Sequence, residues 1–322
     1  MLFRSIQIGF NEVNNLILDN AGNIYVSGVE GSSGSEQFFL KKFNAEGVNE
    51  WTLPVQHSIN IDGHYGINYF SDLEVNDQDE ILLLTTIRYG AYYNRELKIT
   101  KFNSNGDLIS ETSLDSNFGV SGVIRDIDIS KDGSVIIGGE TRGTIPGGEE
   151  YSGHSSDPFI RKYDSSGDIA WTRNLSTGYY RESINSVFIS SDGSIYFQGV
   201  FGDSLAALPI DEKFMDDDLG KLSSNGILQW RGDATYDKYS SHQSITYESH
   251  FYETSNGDLY LTGNALGTWP NEVYLSGTPF ISSINKSTGE EIWSYLSDFG
   301  NLDANLFSYG YYTWNKIGRA HV

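Results

Sequence analysis

One turn is written five times along this chain, and it limits the fold more than any other feature. Its clearest copy is Asp164-Ser165-Ser166-Gly167-Asp168-Ile169-Ala170-Trp171. A short polar turn ends in glycine and leads into a strand that reaches tryptophan. The other copies are Asn44-Ala45-Glu46-Gly47 before Trp51, Asn103-Ser104-Asn105-Gly106, Ser223-Ser224-Asn225-Gly226 before Trp230, and Lys286-Ser287-Thr288-Gly289 before Trp293. The second copy alone lacks the tryptophan; Ser110 takes its place. A second turn alternates with the first, at Gly22, Gly133, Gly193 and Gly257, with Asp79 in the glycine position of the second copy. Successive copies lie roughly 60 residues apart, and a fixed period with two turn types per unit marks a repeat architecture.

The first unit shows what lies between the turns. Leu16-Ile17-Leu18 is a short apolar strand, Asp19-Asn20-Ala21-Gly22 reverses the chain, and Ile24-Tyr25-Val26 returns. A Gly/Ser loop precedes a third strand, Phe38–Phe43, and the Gly47 turn gives a fourth through Trp51. Alternating apolar runs bounded by Asn/Asp/Gly turns read as antiparallel strands. Four short strands in a meander cannot bury both faces alone; stacked meanders of this kind are β-propeller blades. The expected fold is therefore all-β, with five complete blades near residues 13–53, 70–115, 124–175, 184–233 and 248–298. No stretch has the period of a helix longer than a turn or two. Residues 1–9 and 303–314 read as strands of a partial blade, so the expectation is one domain over 1–315 and a native ring of six or more blades. Residues 316–322 read as a non-native tail, since Ile317–Val322 matches one translation frame of a common sequencing adapter.

The 21 Tyr, 17 Phe and 35 Gly suit strands and turns respectively. Charge narrows the partners. With 43 acidic against 21 basic residues, the net charge is −22. No basic run is present to displace counterions from a nucleic acid, and anionic membrane surfaces are disfavoured for the same reason. No apolar run approaches the ~18 residues of a spanning segment, so no membrane insertion is expected. With no cysteine, disulfides, thiolate metal sites and cysteine nucleophiles are excluded.

Three runs carry a family resemblance: Asp19-Asn20-Ala21-Gly22-Asn23-Ile24-Tyr25-Val26-Ser27-Gly28, Ser191-Asp192-Gly193-Ser194-Ile195-Tyr196, and Asp157-Pro158-Phe159-Ile160-Arg161-Lys162-Tyr163 running into the Gly167 turn. This pattern resembles the bacterial β-propeller repeat of the SBBP type over roughly residues 10–300. The resemblance implies an extracellular or surface-associated protein and assigns no chemistry. Lys286–Trp293 is also similar to the repeat of pyrroloquinoline-quinone dehydrogenases, where Gly and Trp dock neighbouring blades; many of those enzymes use a vicinal disulfide, which this chain cannot form. Asp164–Trp171 resembles the Asp-box of sialidases, except that its acidic residue stands three before the glycine rather than two.

In this reading the first and third links of each meander are tight turns. The second link and the link between blades are long, and both fall on the opposite face. Function sits preferentially on such loops. Seven residues before each first-turn position stand Asn15, Asp72, Asp126, Ser186 and His250. Strung around one axis, they would form a polar ring, either satisfying local backbone groups or binding a cation or polyol. The long loops add His64, Tyr65, Tyr180 and His242, aromatic and polar groups that suit a sugar. Calcium is the candidate cofactor, with Asp216, Asp217 and Asp218 (and Glu149, Glu150 and Asp157) as carboxylates in two of these loops, although none has EF-hand spacing. Lysines recur on the third strand at Lys42, Lys101, Lys162 and Lys221; a solvated strand face that discourages edge pairing and a repeated ligand site are both open. No nucleophile elbow, zincin motif or phosphate loop is present. The leading expectation is a non-enzymatic binding or structural module with a carbohydrate or protein ligand. The alternative is a carbohydrate-active hydrolase or lyase using the same face.

Overall fold

The computed structural model describes residues 12–30, 37–55, 69–89, 94–118, 122–153, 156–178, 182–202, 215–233, 249–268 and 274–296. They form a five-bladed β-propeller with no helix among them. Blade 1 is β1 (Glu12–Leu18), β2 (Ile24–Glu30), β3 (Gln37–Phe43) and β4 (Asn49–Val55). Blade 2 is β5 (Tyr69–Val75), β6 (Ile81–Tyr89), β7 (Asn94–Phe102) and β8 (Leu108–Ser113). Blade 3 is β9 (Val123–Ile129), β10 (Val135–Thr141), β11 (Asp157–Tyr163) and β12 (Ile169–Asn174). Blade 4 is β13 (Ser183–Ile189), β14 (Ile195–Gly202), β15 (Met215–Leu222) and β16 (Leu228–Asp233). Blade 5 is β17 (His250–Glu253), β18 (Leu259–Thr268), β19 (Tyr274–Ile284) and β20 (Glu291–Leu296). Each blade is a sheet in chain order, antiparallel throughout. The residues read as a partial blade and as a tail, 1–9 and 303–322, lie outside the described residues.

The turns form for a local reason. In the Gly167 turn, the Gly167 N–H donates to the Asp164 carbonyl at 3.0 Å. The Asp164 carboxylate accepts from the Ser166 and Asp168 N–H groups at 2.9 and 3.1 Å. Gly167 has φ 91°, the left-handed position that closes such a hairpin and favours glycine. Asp79 holds the same role at φ 56° and is the one non-glycine residue with positive φ among the described residues.

Inner strands pack in series, β1 on β5, β5 on β9, β9 on β13 and β13 on β17. The hydrophobic core therefore lies in the seams. One cluster joins Leu82 and Leu84 of blade 2 to Ile127, Val135 and Phe159 of blade 3. Another joins Ile136 and Ile160 of blade 3 to Ile184, Val187 and Phe197 of blade 4. Covered on both faces, β13 is buried along its whole length, which is why its sequence does not alternate.

At the rim, tryptophan and lysine act together across a seam. Trp51 Nε1 donates to the Ser104 carbonyl at 3.2 Å, and Lys42 Nζ donates to the same oxygen at 3.1 Å. Trp171 and Lys162 converge on the Ser224 carbonyl at 3.0 and 3.5 Å. Trp230 and Lys221 converge on the Lys286 carbonyl at 3.1 and 3.4 Å. Three of the four recurring lysines, Lys42, Lys162 and Lys221, are thus ties to the next blade's turn, a role outside both readings drawn from the sequence. The turn glycine seats the indole: a Cβ on Gly226 would lie 2.8 Å from the Trp171 ring, and one on Gly289 2.5 Å from the Trp230 ring.

The seam between blades 2 and 3 has no tryptophan, and Lys101 pairs within its own blade with Glu80 at 3.0 Å. Arg161, fully buried, holds it instead. Its Nη1 donates to the Asn117 carbonyl of the connector between the blades at 3.0 Å, and its Nη2 to the Pro146 carbonyl at 2.7 Å. Its Nε donates to Thr172 Oγ1 at 2.9 Å. The Tyr163 hydroxyl donates to the Asp115 carbonyl, and Phe118 stacks on Phe159 with centroids 5.4 Å apart.

Candidate functional site

An inner strand is an edge strand, and its outward N–H groups need partners. The predicted polar ring supplies two of them. The Asp126 carboxylate, on β9, accepts from the Val187 N–H of the next blade at 2.9 Å and from Ser186 Oγ at 3.2 Å. Asp72, on β5, accepts from the Ile129 N–H at 3.0 Å. Asp128, two residues after Asp126, accepts from the Ile189 N–H at 2.6 Å. Glu74 accepts from its neighbour, the Val75 N–H, at 3.1 Å. Carboxylates of one blade thus cap the open edge of the next. Asn15, Asp72 and Ser186 are buried, while Asp126 and His250 are half-buried. Thr262 Oγ1 donates to the His250 carbonyl at 3.3 Å.

One residue earlier, the structure holds a feature that the sequence reading missed. The register of the inner strand slips between Val13 and Asn15 in blade 1, opposite Gly138 and Gly139 in blade 3, and between Ile184 and Ser186 in blade 4. The bulged residues are Asn14, Arg125 and Asn185, each eight before the first-turn glycine. A bulge re-aims its side chain and is favoured beside functional sites. These bulges lie at the long-loop end of the inner strands, where equivalent positions share one level of the propeller. Arg125 Nη2 pairs with Glu140 at 2.9 Å. The signal was available in the repeat alignment: a polar residue adjoins the predicted ring in each of these blades.

Other predicted residues fall elsewhere. His64, Tyr65, Tyr180 and His242 lie outside the described residues. Asp216, Asp217 and Asp218 are consecutive residues of β15, which corrects their expected placement in a loop. Asp218 is 7% exposed and pairs with Arg231 at 3.1 Å. Asp157 is buried and fastens the long loop of blade 3, accepting from the Ser152 N–H and Asn174 Nδ2, both at 2.7 Å. Among the described residues no three His, Asp or Glu side chains cluster as a metal site.

Buried Glu182 stiffens the connector from blade 3 to blade 4. It accepts from Ser176 Oγ at 2.7 Å, the Thr177 N–H at 3.0 Å and the Thr177 hydroxyl. On the opposite face, burial would raise the Glu253 pKa, but hydrogen bonds from Lys286, Ser190 and Ser191 outweigh it and hold the carboxylate below its usual range. The charged pair there, Lys286 with Glu253, spans the seam of blades 4 and 5 by way of Ser190. Burial pushes the Tyr163 hydroxyl up to about 12, which keeps it neutral as a donor.

No family model matches the chain, and no curated sequence matches it. Solved structures do share its fold. An α-L-arabinanase of Penicillium chrysogenum, in complex with arabinobiose, is 10% identical, covers 86% of this chain with 81% of its own, and has a TM-score of 0.52. An α-L-arabinofuranosidase of Fusarium graminearum, in complex with an iminosugar inhibitor, is 8% identical, covers 87% of this chain with 80% of its own, and has a TM-score of 0.53. At such identities the likeness is one of fold, and it places this chain among proteins with a β-propeller architecture.

Proposed function

We propose that this chain is a carbohydrate-active β-propeller whose ligand sits at the long-loop end of the inner strands, with glycoside hydrolysis as its activity. The observation that carries the reading is the set of polar residues at equivalent positions there: bulged Asn14, Arg125 and Asn185 beside Asn15, Asp72, Asp126, Ser186 and His250. Inter-blade hydrogen bonds hold the carboxylates of that level in place. Rigid polar groups around an axis suit a polyhydroxylated ligand. The arabinobiose complex of one structural neighbour and the iminosugar complex of the other support the same ligand class. The resemblance to the SBBP-type repeat supports an extracellular or surface location, where polysaccharides are met.

A second reading, binding without catalysis, has its own observation. Glycoside hydrolysis generally needs an acid and a nucleophile or base, and Asp72, Asp126 and Asp128 are each engaged by a backbone N–H. One experiment separates the two. Arabinobiose is titrated calorimetrically, and release of reducing sugar from arabinan is followed in parallel. Binding with turnover supports the enzyme, and binding without turnover on arabinan or other neutral polysaccharides leaves the binding module. Absence of binding to any glycan sinks both.

A further inference from the structure

Two of the bulged residues, Asn14 and Asn185, each hold one buried amide atom with no hydrogen-bond partner. Asn185 is 6% exposed. Its Oδ1 accepts from Ser183 Oγ at 2.9 Å, while its Nδ2 has no hydrogen-bond partner. Asn14, at the same repeat position in blade 1, has a buried Oδ1 with no partner. An unpaired buried polar group costs about 1–3 kcal/mol, so a folded protein that keeps two at one repeat position calls for an explanation. The surroundings sharpen the contrast. One residue further along, Asp126 is fully engaged by Ile127, Ser186 and Val187. The inner strands satisfy their own backbone edge, yet leave these amides open.

We propose that the bulges form a subsite for a neutral glycan, with Asn185 Nδ2 donating to a sugar hydroxyl and Asn14 Oδ1 accepting from one. This rests on the carbohydrate reading above and deepens it by naming the ligand class. A hydroxyl both donates and accepts, so a polyol can satisfy an orphan donor and an orphan acceptor at one level of the propeller. A carboxylate-bearing glycan can serve the donor only. It would also meet Asp72, Asp126 and Asp128 on neighbouring strands of a chain with net charge −22. Arg125, the bulged residue of blade 3, pairs through Nη2 with Glu140 at 2.9 Å, and that carboxylate balances its charge. The subsite therefore selects against uronic acids.

The test titrates arabinobiose and cellobiose (neutral) and digalacturonate (acidic) into the full chain, as wild type, Asn14→Ala, Asn185→Ala and Asn185→Asp. The aspartate variant keeps the shape and the Ser183 contact while replacing the donor by an acceptor, so it serves if the alanine variant folds poorly. Wild type is expected to bind a neutral disaccharide at least about tenfold more tightly than digalacturonate. Each variant is expected to lose about tenfold in affinity, the equivalent of about one hydrogen bond; the alanine variants are expected to melt within about 2 °C of wild type, and Asn185→Asp to melt lower because it buries a carboxyl group. Neutral binding unchanged in every variant overturns the subsite and leaves the carbohydrate reading standing. Equal or tighter binding of digalacturonate overturns the selectivity. No glycan bound by wild type ends both the subsite and the carbohydrate reading.

Discussion

The seam between blades 3 and 4 and the seam between blades 2 and 3 solve one problem with different chemistry. Both must join two sheets that cannot bury their faces alone. Between blades 3 and 4 the rim is closed by a repeated part: Trp171 and Lys162 on one carbonyl of the next turn, with a glycine beneath the indole. Between blades 2 and 3, Ser110 stands where the indole would be. There the Gly167 turn meets Thr112 and Leu114 instead, and the connector carrying Asp115, Asn117 and Phe118 is pulled across onto Arg161, Tyr163 and Phe159. A seam that loses its repeated staple is held by irregular residues of a long connector. The lesson is that the repeat sets the architecture, while individuality gathers on the long-loop side.

The largest loss of stability is expected at Arg161. Arg161→Ala removes a fully buried side chain and leaves two part-buried carbonyls and the buried Thr172 hydroxyl without their donor, and it should cost about 3 kcal/mol or more in urea unfolding. Trp171→Ala removes a half-exposed staple and should cost less, about 2 kcal/mol, below the ~3–5 kcal/mol of a fully buried aromatic. Equal costs would show the two seams to be equivalent.

A smaller effect sharpens the account of the glycines. Gly226→Ala combines a positive φ with a Cβ 2.8 Å from the Trp171 ring, whereas Gly133→Ala has a positive φ but its nearest contact at 3.8 Å. Backbone strain alone costs about 1 kcal/mol. Gly133→Ala should show that amount and Gly226→Ala roughly twice it. Equal losses would mean that the indole does not rest on the turn.

The smallest effect lies in pH. Glu253 has its pKa lowered in the folded state, against an ordinary value of about 4.3. A lowered carboxylate pKa contributes stability that is present above the unfolded value and lost as pH falls through the folded one. The melting temperature should therefore hold from neutral pH to about 5 and fall below it, with a shallower acid slope in Glu253→Gln. An unchanged slope would remove the Lys286–Glu253 pair from the ties of seam 4–5.

What could be read from sequence follows the range of each interaction. The turns are local, each set by one Asp, Asn, Ser or Thr and, in all copies but Asp79, a glycine a few residues on, so the period, the five complete blades and the meander order were legible, while the expected ring of six or more blades was not what the described residues form. The lysine ties were not. Lys42 reaches Ser104 across 62 residues, and a lysine before an aromatic looks like any solvated strand position. Asp216–Asp218 looked like a loop because nothing in the sequence marks where β15 begins, and the strand sets in just before them. At the candidate site, the ring of Asn15, Asp72, Asp126, Ser186 and His250 was legible as a repeat position. The bulges one residue earlier showed only as a polar residue beside that ring, at Asn14, Arg125 and Asn185; the slip of register itself is a relation between two strands and has no residue type of its own.

One measurement bears most directly on the division between scaffold and site: the affinity for arabinobiose, with the melting temperature, of Trp171→Ala and Asn185→Ala side by side. The staple variant should melt lower and bind as wild type, and the bulge variant should melt as wild type and bind about tenfold more weakly. The reverse pattern, affinity lost with the staple and stability lost with the bulge, would contradict the account.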